Sequence, residues 1–476
     1  MLKRLIPLLC LLVIAILPTS QAAEIPQLES GATLSGKPTL AQFFGGASTD
    51  AGASFGHQFN PNQPLQVVGE IAIEPAHVGS MGNIYTIALL GQQAFMQDSS
   101  GNFQPWNLDV STLVPFRENQ VLSASESLQP INNLALGPFG IENASLSFHY
   151  AYSTDTDPGE LFFNQSPLQL SIDAYDPLVN IFGQAKTIDT LVEDASRSRE
   201  IPILIYLAEN TGPAPTVLFS HGLGGDRFTV IYLAEQWSQR GFNVINLQHP
   251  GSDSSILENV PLTELAAAFE AAASLENSIA RVEDVTAVLN QLEIWNADMD
   301  SELFNRIDFD HIGMSGHSFG ARTTQNVSGQ VSFTIPGETR DPRIDASVIF
   351  SPSPPGLGDT QAAFAAVDIP WMLMTGTLDE SSVSDVSPQE RLLVYPALPP
   401  GGKYELVLFN GEHHAFTDRA LGQAQNPRNP AHHPEIQALS TAFWEAWLLN
   451  DNSARAWLDG SGAESTLQPG DTWQLK

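Results

Sequence analysis

The sequence predicts a two-part chain: an all-β sandwich domain over residues 24–174, then an α/β domain over 175–476 whose mostly parallel sheet is covered by helices on both faces. Three observations carry this. In the first stretch, short runs of β-branched, aromatic and aliphatic residues alternate with turn residues, and helical periodicity is weak. In the second, nearly continuous apolar runs alternate with helix-spaced ones, as in a buried parallel sheet. The length of 476 residues, at roughly 100–200 residues per domain, favours at least two domains.

The N-terminus stands apart from both. Met1-Leu2-Lys3-Arg4 is basic, residues 5–17 are apolar, and Pro18-Thr19-Ser20-Gln21-Ala22-Ala23 follows. That order marks 1–22 as a secretory signal peptide, cleaved after Ala22 or Ala23. The apolar run is shorter than the roughly 20 residues of a membrane span. A secreted protein, periplasmic or extracellular, with no integral membrane segment after signal removal is therefore expected. Cys10, the sole cysteine, lies in this segment, so no disulfide, thiolate metal site or cysteine nucleophile is expected in the mature chain.

In the first domain, strands are expected at 65–68, 84–90, 146–152 and 160–163, with Asp98-Ser99-Ser100-Gly101-Asn102 as a turn. In the second they are expected at 216–220, 242–247, 311–315, 346–351, 370–375 and 404–409. All are apolar almost throughout, as strands covered on both faces should be. Val282, Val285, Val288, Leu289 and Leu292 recur at helical spacing, and the Ala/Glu-rich stretch 262–275 reads as another helix.

The charge balance excludes one class of partner. With 20 Lys+Arg against 53 Asp+Glu, the formal net charge is −33. Phosphate backbones would be repelled, so nucleic acid is not a partner, and anionic membrane surfaces are disfavoured. The acidity reads as a solubility feature.

Gly316-His317-Ser318-Phe319-Gly320 is a G-x-S-x-G motif between an expected strand and an expected helix. That context is the nucleophile elbow of the α/β-hydrolase fold, which is the fold class expected for the second domain. It makes Ser318 the candidate nucleophile. Upstream, Thr216-Val217-Leu218-Phe219-Ser220-His221-Gly222-Leu223-Gly224-Gly225 is a strand running into a Gly-rich loop. Acyl transfer builds a tetrahedral oxyanion that needs preorganised N–H donors. In this fold they are the amide after the nucleophile and one from the loop after the third strand, here Phe319 and Leu223. The loop lacks the Gly-Lys-Ser/Thr ending of a phosphate cradle.

Downstream, the expected 370–375 strand leads to Asp379, and the 404–409 strand leads to Asn410-Gly411-Glu412-His413-His414. The order Ser, Asp, His is that of the α/β-hydrolases. A histidine must take the serine's proton, and a carboxylate must fix its tautomer. Read from the residues alone, His413 and His414 compete as base. Asp379 is best placed as the acid, with Glu380, Asp368 and Asp385 nearby. His432-His433 lacks companion ligands at metal spacing, and His249 is expected to shape a pocket wall.

Together, Ser220-His221-Gly222-Leu223-Gly224, Gly316-His317-Ser318-Phe319-Gly320 and His413-x-x-Phe416-x-Asp418 resemble the plasma-type platelet-activating-factor acetylhydrolases and the bacterial proteins often called predicted dienelactone hydrolases. The family pattern H-x-x-F-x-D implies His413 rather than His414 as base, and the resemblance also implies Leu223 and Phe319 as oxyanion donors. One departure concerns the acid. The plasma acetylhydrolases place it after the sixth strand, where this chain has Phe350-Ser351-Pro352-Ser353-Pro354 and no carboxylate. This points again to Asp379 and away from a phospholipid substrate. Ser318 stands where true dienelactone hydrolases use cysteine. The stretch from Gly69-Glu70-Ile71 to Pro75-Ala76-His77-Val78-Gly79 is similar to a β-sandwich module of secreted proteobacterial proteins.

The expected function is a secreted serine hydrolase of carboxylic esters, acting through an acyl-enzyme on a small-molecule or polymeric ester: a lipid, a short-acyl ester or a polyester. The resemblance adds a phospholipase A2- or acetylhydrolase-like activity. No metal or organic cofactor is expected, and the oligomeric state is left open. The alternatives are a peptidase or acyltransferase on the same triad, and a surface- or polymer-binding protein whose β-sandwich is the functional part.

Overall fold

The computed structural model describes residues 23–210, 212–261, 263–381, 386–418 and 428–476. The expected signal segment 1–22 lies outside the described residues, as do Asp385 and Leu262. The described residues divide into two compact units. One runs up to Phe59 and takes Gln63–Ala135 and Asn143–Asp173; the other takes Asn60–Asn62, Leu136–Glu142 and Ala174–Lys476.

The first unit is built on strand pairing. Met81–Leu90 and Ala144–Thr154 form the antiparallel centre of a nine-stranded sheet. Gln42–Ser48, Leu65–Ala72 and Ser125–Leu134 form a separate antiparallel sheet. Leu65–Ala72 alternates buried and half-buried residues along its length, the period-two signature of a strand with one packed face. The turn expected at 98–102 joins Gln93–Gln97 to Phe103–Trp106.

The second unit carries a nine-stranded sheet. Its order is Lys186–Asp194, Arg199–Leu207, Asn243–Leu247, Ala214–Ser220, Ile307–His317, Ile344–Phe350, Trp371–Leu378, Lys403–Glu412 and Thr472–Leu475. Alternate residues of its inner strands face opposite ways. Val217, Phe219, Val348, Met372 and Met374 join Trp237, Phe443 and Trp444 in one buried cluster. Leu218, Ile245 and Met314 join Val285, Val288, Leu289 and Leu292 of the Leu275–Ala297 helix in another. The stripe read from the sequence is the buried face of that helix. Among the described residues, no helix is long and apolar enough to cross a membrane.

The expected fold class requires correction. In place of an α/β-hydrolase fold after an all-β sandwich, the chain is mixed, about 33% strand and 25% helix. The first unit's sheets are antiparallel but for one short parallel pair, between Gln58–Phe59 and Leu168–Ile172. The sheet of the second unit combines both pairings: its five inner pairs are parallel, while Lys186–Asp194, Arg199–Leu207 and Thr472–Leu475 pair antiparallel at its ends. The physical reason lies in which strands announce themselves. The six expected strands are the apolar inner ones. Lys186–Asp194 and Thr472–Leu475 are mostly exposed and polar, with no apolar run to mark them.

Candidate active site

The Ile307–His317 strand ends at Ser318, and the Phe319–Val327 helix starts at the next residue. So abrupt a change of direction leaves Ser318 with φ 59° and ψ −111°, a conformation rare for any residue with a side chain. The turn survives because the residues two before and two after the serine, Gly316 and Gly320, have no side chains. A β-carbon at Gly320 would collide with the Ser220 carbonyl, and one at Gly316 with the Gly320 carbonyl. The Ser318 amide donates to Phe350 O at 3.0 Å, which ties the turn to the neighbouring strand.

The Lys403–Glu412 strand runs into a single 3-10 turn, His413–Phe416. It brings His413 Nε2 to 2.8 Å from Ser318 Oγ. On the other side of the ring, Nδ1 lies 2.6 Å from Asp379 Oδ1. Asp379 follows the end of the adjacent Trp371–Leu378 strand and is fully buried. Its other oxygen accepts from Thr375 Oγ1 at 2.8 Å. Arg391 Nε lies 3.2 Å from Asp379 Oδ1 and donates to the Asp379 carbonyl at 2.9 Å. Burial alone would push the Asp379 carboxyl up. The charge and hydrogen bond of His413, with the charge of Arg391, outweigh it and hold the carboxyl far below the ordinary carboxylate range. An ionised Asp379 accepts a hydrogen bond from Nδ1–H and so keeps the proton on that nitrogen, which leaves the Nε2 lone pair facing the serine hydroxyl.

The competing residues lie elsewhere. His414 turns toward Glu412, with Nδ1 at 3.5 Å. Asp368 pairs with Arg340. His317, inside the motif, donates from Nε2 to the His413 carbonyl at 2.8 Å and so braces the turn that carries the base. Burial, followed by the charge of His413, keeps its ring far below the ordinary histidine range and therefore neutral.

The glycine-rich loop lies against the serine: a β-carbon at Gly222 would sit 3.3 Å from Ser318 Cβ. Among the described residues, neither the Leu223 nor the Phe319 amide donates a hydrogen bond within the protein. The loop is fixed from behind. Gly224 N donates to Ser252 O at 2.9 Å, and Arg281 Nη1 donates to His221 O at 2.7 Å. The guanidinium of Arg281 also lies 4.6 Å from the centre of the Phe319 ring.

Behind this loop sits a second Ser–His–Asp chain. Ser220 Oγ is 2.9 Å from His249 Nε2, and His249 Nδ1 is 3.0 Å from Asp284, which Arg199 grips with two hydrogen bonds. All three members of that chain are 0% exposed. No acyl group can reach Ser220, so this chain is a structural brace. His249 is part of it and not of a pocket wall.

Beside Phe319 a small cleft, of about 80 Å³, opens between the Phe319–Val327 helix and the loop after Ile344–Phe350. Arg322, Asn326, Phe333, Ser353 and Leu357 are among its lining residues. Among the described residues, the Arg322 side chain has no ion-pair or hydrogen-bond partner, and no group of three or more His, Cys, Asp or Glu side chains is arranged to hold a metal ion.

The structure thus brings together Ser318, Asp379 and His413, and sets the loop bearing Leu223 beside them. Sequence reasoning missed Arg281, His317, Arg391 and Arg322. Arg281 left a faint signal, a cation next to Val282 on the apolar stripe of its helix. Arg391 left only the Ser387–Glu390 capping box that starts its short helix. Comparison with protein-family models and with curated proteins gives no match.

Proposed function

We propose that this chain is a serine hydrolase of carboxylic esters. One observation carries the reading: an unbroken hydrogen-bonded line from a buried, ionised Asp379 through His413 to Ser318, with the serine held on a strained turn. Ser318 Oγ attacks the ester carbonyl while His413 Nε2 takes its proton. The amides of Leu223 and Phe319 donate to the oxyanion; among the described residues they have no competing acceptor. The imidazolium returns the proton to the departing alcohol, leaving an acyl group on Ser318. Water, deprotonated by His413, then attacks the acyl carbonyl; the carboxylic acid leaves and the serine is restored. Asp379 stays ionised throughout and stabilises the charged ring.

The substrates that suit this reading are lipid, short-acyl and polyester esters, and the N-terminal sequence supports export as the route to them. A panel of p-nitrophenyl esters from acetyl to long acyl, run beside peptide anilides, tests it. The expected result is ester turnover by the natural chain and a loss of about 10³-fold or more in Ser318→Ala. Full turnover in that variant, or turnover confined to the anilides, would sink the proposal.

A further inference from the structure

We infer that Arg322 selects esters carrying an anionic group, a carboxylate or a phosphate, which it binds in the cleft next to Phe319, the residue that follows Ser318. This rests on the esterase reading above and adds the charge of the substrate.

Arg322 sits one helical turn beyond Ser318, its amide donating to the Ser318 carbonyl at 3.3 Å. Its side chain lines the cleft next to Phe319, with Asn326 and Ser353 as further polar neighbours. What sets it apart is that, among the described residues, its side chain has neither a counter-ion nor a hydrogen-bond acceptor; Arg281, Arg306, Arg428 and Arg455 also lack an ion pair, but each donates to backbone carbonyls. Arg199 pairs with Asp284, Arg227 with Asp189, Arg240 with Glu445, Arg343 with Asp341 and Arg391 with Asp379. In a chain with 53 acids and 20 bases, such pairing is the expected condition of an arginine. Arg322 is half-buried without it. Burial and the like charge of Arg391 both work against its charged form, and no carboxylate among the described residues pairs with it.

A guanidinium held in this way is a preformed anion site, since its planar fork matches a carboxylate or phosphate in two parallel hydrogen bonds. The other cation near Phe319 cannot serve. Arg281 is fully buried, and its donors are taken by Ser252, Ser220 and His221. The net charge of −33 sharpens the point: anions are repelled at long range, so an anionic ester needs a local cation to be favoured.

Two ester pairs test the inference and separate the sources of the anion. In p-nitrophenyl hydrogen glutarate against p-nitrophenyl pentanoate, a carboxylate lies on the acyl side. In butanoylglycerol phosphate against butanoylglycerol, a phosphate lies on the alcohol side. The natural chain should show higher kcat/KM for the charged member of at least one pair. Arg322→Gln should reduce that preference about 10- to 100-fold, mainly through KM, and Arg322→Lys should retain part of it. Equal losses on both members of each pair, or no charge preference in the natural chain, would overturn this inference alone. No turnover of any of the four esters would remove the esterase reading, and this inference with it.

Discussion

Asp379 depends on His413 for its charge, and His413 depends on Asp379 for its tautomer. The carboxylate stays ionised in a fully buried position because the imidazole and Arg391 face it. Asp379→Asn keeps the shape but removes the acceptor that fixes the ring, leaving Nε2 free to carry the proton. A fall in ester turnover of about 10⁴-fold, with the circular dichroism spectrum retained, is the expected outcome. A loss under tenfold would mean that the tautomer is set by something else. At this scale Ser318 was the most legible residue, because glycines on both sides of a serine between strand and helix have few other uses. Asp379 was legible from its place just past an apolar strand. The choice between His413 and His414 was not legible from the two residues themselves, since it depends on how one 3-10 turn is wound. Arg322 gave no sign, and Arg391 only the capping box of its short helix: a lone cation in a helix reads like any solvated charge until its burial is known.

At the scale of elements, the glycine-rich loop is only as rigid as the brace behind it. His249 is buried against Arg281, which brings its value down to about 4 from the ordinary 6.5. Between those values the unfolded chain binds a proton that the folded chain refuses. Stability is therefore full above about 6.5 and falls as the pH drops toward 4. Melting temperatures measured across that window should decline with acidity, and His249→Asn should flatten the slope. A melting temperature constant over the window would show that the brace does not couple to folding. Burial made most strands legible, with one exception: Arg199–Leu207 is apolar and buried but was not among the expected strands. Ile307–His317 and Trp371–Leu378 carry inner apolar runs that only a covered strand explains. Lys186–Asp194 and Thr472–Leu475 take their form from a neighbour's backbone and not from their own side chains. Missing them made the sheet look more uniformly parallel than it is.

For the whole molecule, a net charge of −33 means that folding gathers like charges into a smaller volume. Added salt screens that repulsion, since the Debye length shrinks from about 30 Å at 0.01 M to about 3 Å at 1 M. The melting temperature should rise by several degrees between those conditions in sodium chloride; a fall would mean that paired charges such as Arg343–Asp341 matter more than the surplus. The antiparallel end strand of the large sheet bears on another hazard. Lys186–Asp194 carries Lys186, Asp189, Glu193 and Asp194 along an open row of backbone donors and acceptors, with Asp189 paired to Arg227 and Asp194 to Arg197. Two copies meeting there would have to strip water from these charged side chains, so the rim that could otherwise template fibril growth instead keeps neighbouring molecules from stitching their sheets together.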